Sequence, residues 1–137
     1  MHKKGASKDM QKRPYYEDVL EEVLDFFKSK VSYLIDLGFR ENKIILDPGI
    51  GFGKTKEHNL ILLKNLQVFK DLSYPILIGA SMKRIIGDIT GQDAPNRLAG
   101  TLGLHLGALQ KGADILRVHH VRETKDMINC FTSVGNL

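Results

Sequence analysis

Three short apolar runs, each closed by a polar residue and followed by a helix-length stretch, constrain this chain more than anything else in it. They are Lys43-Ile44-Ile45-Leu46-Asp47, Pro75-Ile76-Leu77-Ile78-Gly79 and Asp114-Ile115-Leu116-Arg117-Val118-His119. The runs are continuous rather than alternating, as expected of strands covered on both faces of a parallel sheet. Strand and helix in repeated succession give a doubly wound sheet or a TIM barrel. In both folds, ligands collect at the C-terminal ends of the strands.

The polar residues of this chain stand at those ends. Asp47 closes the first run, Ser81 and Lys83 follow the second, and Arg117 and His119 close the third. Asp47, Lys83 and His119 are equally spaced along the chain, one strand–helix unit per step. That register predicts a shared rim. Three of the groups can be cationic, which suits a phosphate or diphosphate. The one carboxylate can accept from paired ligand N–H groups. The bland alternative makes Asp47 a turn acid that pairs structurally with Arg117. It explains each residue alone better than it explains their common register.

The loop Gly49-Ile50-Gly51-Phe52-Gly53-Lys54-Thr55 misses two phosphate-binding motifs. A P-loop would need glycine at position 48, which is Pro48, and a dinucleotide fingerprint needs G-x-G-x-x-G where this loop has G-x-G-x-G. What remains is a backbone that can approach a ligand closely, with Phe52 as an apolar surface.

Around the runs, helical periodicity is clear. Val19, Leu20, Val23, Leu24, Phe27, Val31, Leu34 and Ile35 recur at helical spacing, with Pro14 expected in the first turn and Gly38 as the stop. A second helix is expected from Thr55 or Lys56, carrying Leu60, Leu63, Leu66 and Phe69 on one face, with His58 and Asn59 at its start. A third stretch runs to about Lys111 with a break near Gly91 to Asn96, and a last helix begins near Arg122. Gly100, Gly103 and Gly107 are expected to let the third stretch pack closely, and His105 to be packed or exposed rather than a ligand.

Composition removes several function classes. At 137 residues the chain suits one domain with a real core. No apolar run approaches the roughly 20 residues that span a bilayer. The start, Met1-His2-Lys3-Lys4, does not read as a secretory leader. Cys130 is the only cysteine, which fits a reducing cytoplasm and no disulfide. It is expected to be an ordinary core or surface residue. Net charge is +4, concentrated in Lys3, Lys4, Lys8, Lys12 and Arg13. Without interleaved aromatics this run reads as a solvated loop, not a nucleic-acid arm. His119-His120 is not a metal pair, because neighbours on a strand point to opposite faces.

Four segments, in order, resemble the dihydropteroate synthase family. Met1-His2-Lys3-Lys4-Gly5 through Met10-Gln11 resembles its M-H-M-x-G-x-P-x-x-M-Q; Asp47-Pro48-Gly49-Ile50-Gly51-Phe52-Gly53-Lys54 resembles its D-P-G-[FI]-G-F-G-K. Gly79-Ala80-Ser81-Met82-Lys83 resembles its G-x-S-R-K, and Arg117-Val118-His119-His120-Val121 its R-V-H-D-V. The resemblance implies an α/β fold: the C-terminal half of a (β/α)8 TIM barrel, from the end of strand five through helix eight, so that residues 1–137 form one partial pterin-binding domain. It implies joining of 6-hydroxymethyl-7,8-dihydropterin pyrophosphate to p-aminobenzoate, with Mg2+ as cofactor of the complete enzyme and its main ligand outside this chain. Asp47 would bind the pterin's amino and ring N–H groups, Lys83 its carbonyl and ring nitrogen beside Gly79, and Arg117 would lie over the ring. His119 and Arg117 would face the leaving pyrophosphate. Gly51 and Phe52 would wall the p-aminobenzoate slot, Arg84 would meet its carboxylate, and Met1 would line the pterin pocket.

Met82, Arg84 and His120 depart from the family's Arg, Ser and Asp, and Lys3 and Ser7 from its Met and Pro. Family members are about twice as long. The chain is therefore expected to be half of such an enzyme, inactive alone, partnered by an N-terminal half-barrel or by a second copy through its last helices. Two other readings remain: a non-catalytic half-barrel assembly module, and a pterin-binding methyltransferase relative. The S-x-K and R-V-H residues speak against the latter.

Overall fold

A computed structural model describes residues 1–5 and 14–135. The basic residues Lys8, Lys12 and Arg13, together with Ser7, Met10 and Gln11 of the first motif, lie outside the described residues.

The chain order is α1 (Val19–Asp36), a 3-10 turn (Glu41–Lys43), α2 (Lys56–Lys64), α3 (Leu66–Lys70), β1 (Leu77–Ile78), α4 (Arg84–Thr90), a second 3-10 turn (Ala94–Asn96), α5 (Leu98–Gln110), β2 (Ile115–Leu116) and α6 (Val121–Val134). α1 starts at Val19, five residues after Pro14, which therefore lies outside its first turn. Asp18 is its N-cap, and its carboxylate accepts from the Leu20 and Glu21 N–H groups. An acceptor side chain satisfies amides that proline cannot. The helix expected from Thr55 divides at Asn65 (φ −116°, ψ 29°) into α2 and α3. The break expected near Gly91 separates α4 from α5, with Gly91 in the left-handed region at the end of α4.

Regular strand pairing is brief. Leu77 pairs with Ile115 and Ile78 with Leu116, both parallel. Leu46 bridges Ile76, also parallel. Beyond Leu46, the His2 N–H donates to the Asp47 carbonyl at 2.8 Å. The neighbours therefore follow chain order: the N-terminal segment, Leu46–Asp47, β1, β2. A doubly wound sheet reverses that order somewhere; these residues do not. The helices follow suit, α1 against α2, α2 against α4, α4 against α5 and α5 against α6.

The core joins Val19, Val23 and Phe27 of α1 with Leu62, Leu66 and Phe69, and with the sheet residues Leu46, Ile76 and Ile78. Coverage of the sheet is one-sided. On the other face Ile45 is 47% exposed, and Leu77 and Ile115 are only half-buried, whereas Leu116 packs with Ile78 on the core. The expectation of strands covered on both faces fails at Ile45, Leu77 and Ile115, which the described residues cover only in part. No described helix is long and apolar enough to cross a membrane.

Candidate functional site

The strand ends do meet. Asp47 is buried, and its Oδ1 accepts the Gly49 N–H at 2.8 Å. Its Oδ2 lies 3.3 Å from Arg117 Nη2. The guanidinium N–H is not aimed at that oxygen, so Oδ2 is buried with no hydrogen-bond partner among the described residues. Both parts of the bland alternative are thus realised: Asp47 braces a turn and pairs with Arg117. Neither uses up Oδ2, and a buried acceptor without a donor is costly.

Lys83 reaches the same place from the start of α4. Its Nζ donates to the Ile50 carbonyl and sits 4.2 Å from the centroid of the Phe52 ring. Burial lowers its pKa to about 8, against the opposing pull of Asp47, and Arg117 lowers it further. Gly51, at φ +81°, allows this approach, since a Cβ there would stand 3.2 Å from Lys83 Cδ. Arg117 follows β2, where its N–H donates to the Ile78 carbonyl at 2.9 Å. The Nε–Nη2 edge of its guanidinium comes close to Gly79, where a Cβ would be 2.7 Å from Nη2 and 2.9 Å from Nε. His119 is held by Ser81, whose Oγ accepts the His119 N–H at 3.2 Å and lies 3.0 Å from its Nδ1.

Two further expected residues sit at the margins. Arg84 projects from the first turn of α4, its side chain 87% exposed and 3.4 Å from Asp88. It flanks a cleft of about 580 Å³ lined also by Gly51, Phe52, Lys54, Asn59 and Lys83. Met1, half-exposed, borders a separate depression with Phe26, Tyr33 and Ile45, apart from the Asp47–Lys83–Arg117 cluster.

Several residues that shape the site, two of them inside the quoted motifs, have no role assigned from the sequence. Lys54 is buried and donates to His2 Nδ1 at 3.0 Å and to the Gly49 and Phe52 carbonyls at 3.1 Å each. It pins the glycine loop to the N-terminal segment. Burial lowers its pKa to about 8, partly opposed by Asp47. The contact is close: a Cβ at Gly49 would fall 1.9 Å from the His2 carbonyl oxygen. His2 is kept neutral, its pKa lowered to about 4 by burial and then by Lys54. Asn59 takes the Gly51 N–H on Oδ1 at 2.8 Å and donates to the Thr55 carbonyl. Thr55 and His58 form a capping box at the start of α2. The Lys54 and Asn59 contacts to the loop backbone are local, whereas the Lys54–His2 contact joins residues too far apart in the chain for spacing to reveal it.

Of the glycines expected to admit close packing in α5, only Gly100 does so: a Cβ there would meet Ile86 Cγ2 at 2.6 Å, whereas Gly103 and Gly107 face open space. His105 is fully buried, Cys130 is exposed, and no group of three or more His, Cys, Asp or Glu side chains suited to a metal occurs among the described residues.

Residues 1–119 match the family model described as pterin binding enzyme. A Helicobacter pylori protein named bifunctional dihydropteroate synthase/dihydropteroate reductase is 48% identical over 98% of this chain and 35% of its own length. The solved dihydropteroate synthase of Stenotrophomonas maltophilia superposes with a TM-score of 0.93 at 38% identity, covering 97% of this chain and 51% of that one. That of Xanthomonas albilineans has been solved with 7,8-dihydropteroate (TM-score 0.86, 38% identity, 88% of this chain and 47% of that one). It has also been solved with 4-aminobenzoic acid (TM-score 0.90, 37% identity, 97% and 47%). The chain spans about half the length of these solved relatives and about a third of the Helicobacter protein.

Proposed function

The chain belongs to the pterin-binding enzyme family, and from that membership we propose that it is the C-terminal half-barrel of a dihydropteroate synthase. The half-barrel reading draws support from strand neighbours in chain order, and from the partly covered second face at Ile45, Leu77 and Ile115. A complementing set of strands would cover that face and close the barrel.

The observation that carries the reading is Asp47 Oδ2, a buried acceptor with no hydrogen-bond donor among the described residues, beside Lys83 and Arg117. A dihydropterin offers the adjacent amino and ring N–H donors such an oxygen lacks. Lys83, close to the ring face of Phe52, supplies a donor for the pterin carbonyl and ring nitrogen beside Gly79. Arg117, beside Gly79, lies over the heterocycle and faces the diphosphate together with His119. In the proposed reaction the bond between the exocyclic CH2 and the diphosphate oxygen breaks, and the oxygen keeps the electron pair. The p-aminobenzoate nitrogen bonds to the same carbon and gives up a proton to water. The cations stabilise charge as it develops on the leaving group, and the walls align the partners. Gly51 and Phe52 wall the amine's slot, and Arg84 stands at its outer end for the carboxylate. Met1 borders a neighbouring depression, and its place in the pterin pocket rests on the family resemblance alone.

Magnesium is a separate matter. It prefers several oxygen ligands, and Asp47 is the one carboxylate in this cluster, beside the cationic Lys83 and Arg117. These residues do not make a magnesium site, so the ion's ligands would come from the complementing half and the diphosphate. Self-association through α5 and α6 is part of the same proposal.

The test is formation of dihydropteroate from the two substrates, with this chain alone and with an N-terminal half-barrel of a relative co-expressed. Product only in the complemented sample is the expected result. Calorimetry with the pterin diphosphate separates the alternatives: binding abolished by Lys83→Ala supports a live site. No binding by the complemented parent rejects the synthase reading in favour of an assembly module.

A further inference from the structure

The turn that carries Ser81 and Lys83 is gripped from behind by a single helix. Arg97, Thr101 and His105 follow one another at intervals of four along the N-cap and body of α5, so they share one face. Each meets the backbone of the turn. Arg97 Nη1 donates to the Met82 carbonyl at 3.2 Å. Thr101 Oγ1 accepts the Met82 N–H at 3.1 Å. His105 Nε2 accepts the Ala80 N–H at 3.3 Å. Gly100 lets the helix come this near, as its lack of a Cβ beside Ile86 indicates.

The turn needs holding. Met82 has φ +58°, a left-handed conformation that a side-chain-bearing residue adopts at a cost. The residues on either side of it do the chemistry's positioning: Ser81 meets His119, and Lys83 reaches the Ile50 carbonyl. Thr101 and Ala80 are almost wholly buried, so water does not replace these bonds.

We propose that Thr101 and His105 are positioning residues, whose role is to hold the Ala80–Met82 backbone so that Ser81 is aimed at His119 and Lys83 into the cleft. The catalytic part of this inference rests on the synthase reading; the grip itself does not. The histidine is informative. To accept at Nε2 it must be neutral, with its proton on Nδ1. Burial favours that state, lowering its pKa to about 4. Its Nδ1 is then buried with no partner among the described residues. Leucine at this position would remove that unpaired N–H but strand the Ala80 N–H instead. One orphan replaces another, so stability changes little while the turn loses its tether. Glutamine can accept through its carbonyl and keep the tether.

The experiment compares His105→Leu and Thr101→Val with His105→Gln and Thr101→Ser in the full chain, and again after complementation with an N-terminal half-barrel. In the parent chain, the Ala80 and Met82 amides should exchange slowly, and the His105 Nε2 resonance should be that of an unprotonated nitrogen. In the Leu and Val variants those amides should exchange faster. The Lys83 amine, freed from its buried position, should titrate nearer its ordinary 10.5 than 8. The Gln and Ser variants should keep the parent behaviour. In the complemented enzyme, the Leu and Val variants should lose about tenfold in kcat/KM, with thermal midpoints close to the parent's.

Fast exchange at Ala80 and Met82 in the parent, or an unmoved Lys83 titration in both apolar variants, overturns the proposal. So does equal loss of activity in the conservative and apolar variants. If the complemented parent makes no dihydropteroate, the synthase reading fails, and amide exchange and the Lys83 titration still decide the grip.

Discussion

Gly79→Ala should separate the position of Arg117 from the stability of the fold. A Cβ on residue 79 would lie 2.7 Å from Arg117 Nη2, 2.9 Å from Nε and 3.1 Å from Cζ, so the guanidinium must retreat by about 0.7 Å to reach ordinary contact at 3.4 Å. The obstacle is the far end of a flexible side chain that is 55% exposed, so it can yield at little cost. The attraction to Asp47 that is weakened is worth about 0–1 kcal/mol at such exposure. Alanine's loss of unfolded-chain entropy returns about 0.4–1 kcal/mol. The two nearly cancel, and the denaturation midpoint should barely move.

Ligand binding should not escape. A guanidinium contact to a charged ligand is worth about 1.5–3 kcal/mol, or roughly 10- to 150-fold in affinity. Calorimetry with the pterin diphosphate, on the complemented protein, should show a loss in that range. The stronger check is a double-mutant cycle with Arg117→Ala. If Gly79 acts by giving Arg117 its place, Gly79→Ala should have no further effect once Arg117 is gone. An equal loss in both backgrounds would refute the reasoning, as would parent affinity in the single variant.

Three other outcomes are expected. Lys54→Met should cost about 3 kcal/mol in denaturant unfolding, because two carbonyls and the His2 ring lose their donor; a loss under about 1 kcal/mol would show that the loop does not depend on the amine. His2 and His105 both have pKa values lowered to about 4 from 6.5, so between those pH values the unfolded chain binds protons that the folded one refuses. Stability should therefore fall as pH drops from 6.5 towards 4, and less steeply in a His2→Gln, His105→Gln variant; identical slopes would contradict it. Asp47→Asn removes the charge that raises the pKa values of Lys54 and Lys83, so NMR titration should find both amines below their parent value of about 8; unchanged midpoints would show that the carboxylate does not act on them.

The sequence is most informative where one residue type has one physical reason. Asp47, Lys83, Arg117 and His119 are legible because each lies at or shortly after the end of a strand, and parallel strands bring their ends to one rim. Gly51 and Gly79 are legible as glycines, though not why: one admits the Lys83 stem and the other supports a guanidinium. Other features depend on partners distant in the chain. Nothing near Lys54 indicates that His2 accepts from it, and nothing in α5 indicates that Thr101 and His105 serve a turn some twenty residues earlier. The start of α1 was misread from Pro14 because Asp18 is the stronger local signal. Continuous burial of the strands was overestimated because apolar runs record what a strand prefers, not what covers it, as the exposure of Ile45 illustrates.

The chain-order, all-parallel arrangement limits how this sheet can be extended. Its margins among the described residues are the Met1–Lys4 segment on one side and β2 on the other. A hairpin cannot add a parallel strand, since it reverses direction. A two-fold axis mating β2 with its own copy must either invert the strands or carry the helices to the wrong side. Only opposite margins can join with direction and sidedness both preserved. The sheet thus has a polarity, like a plug and its socket, that sorts productive assembly from aggregation.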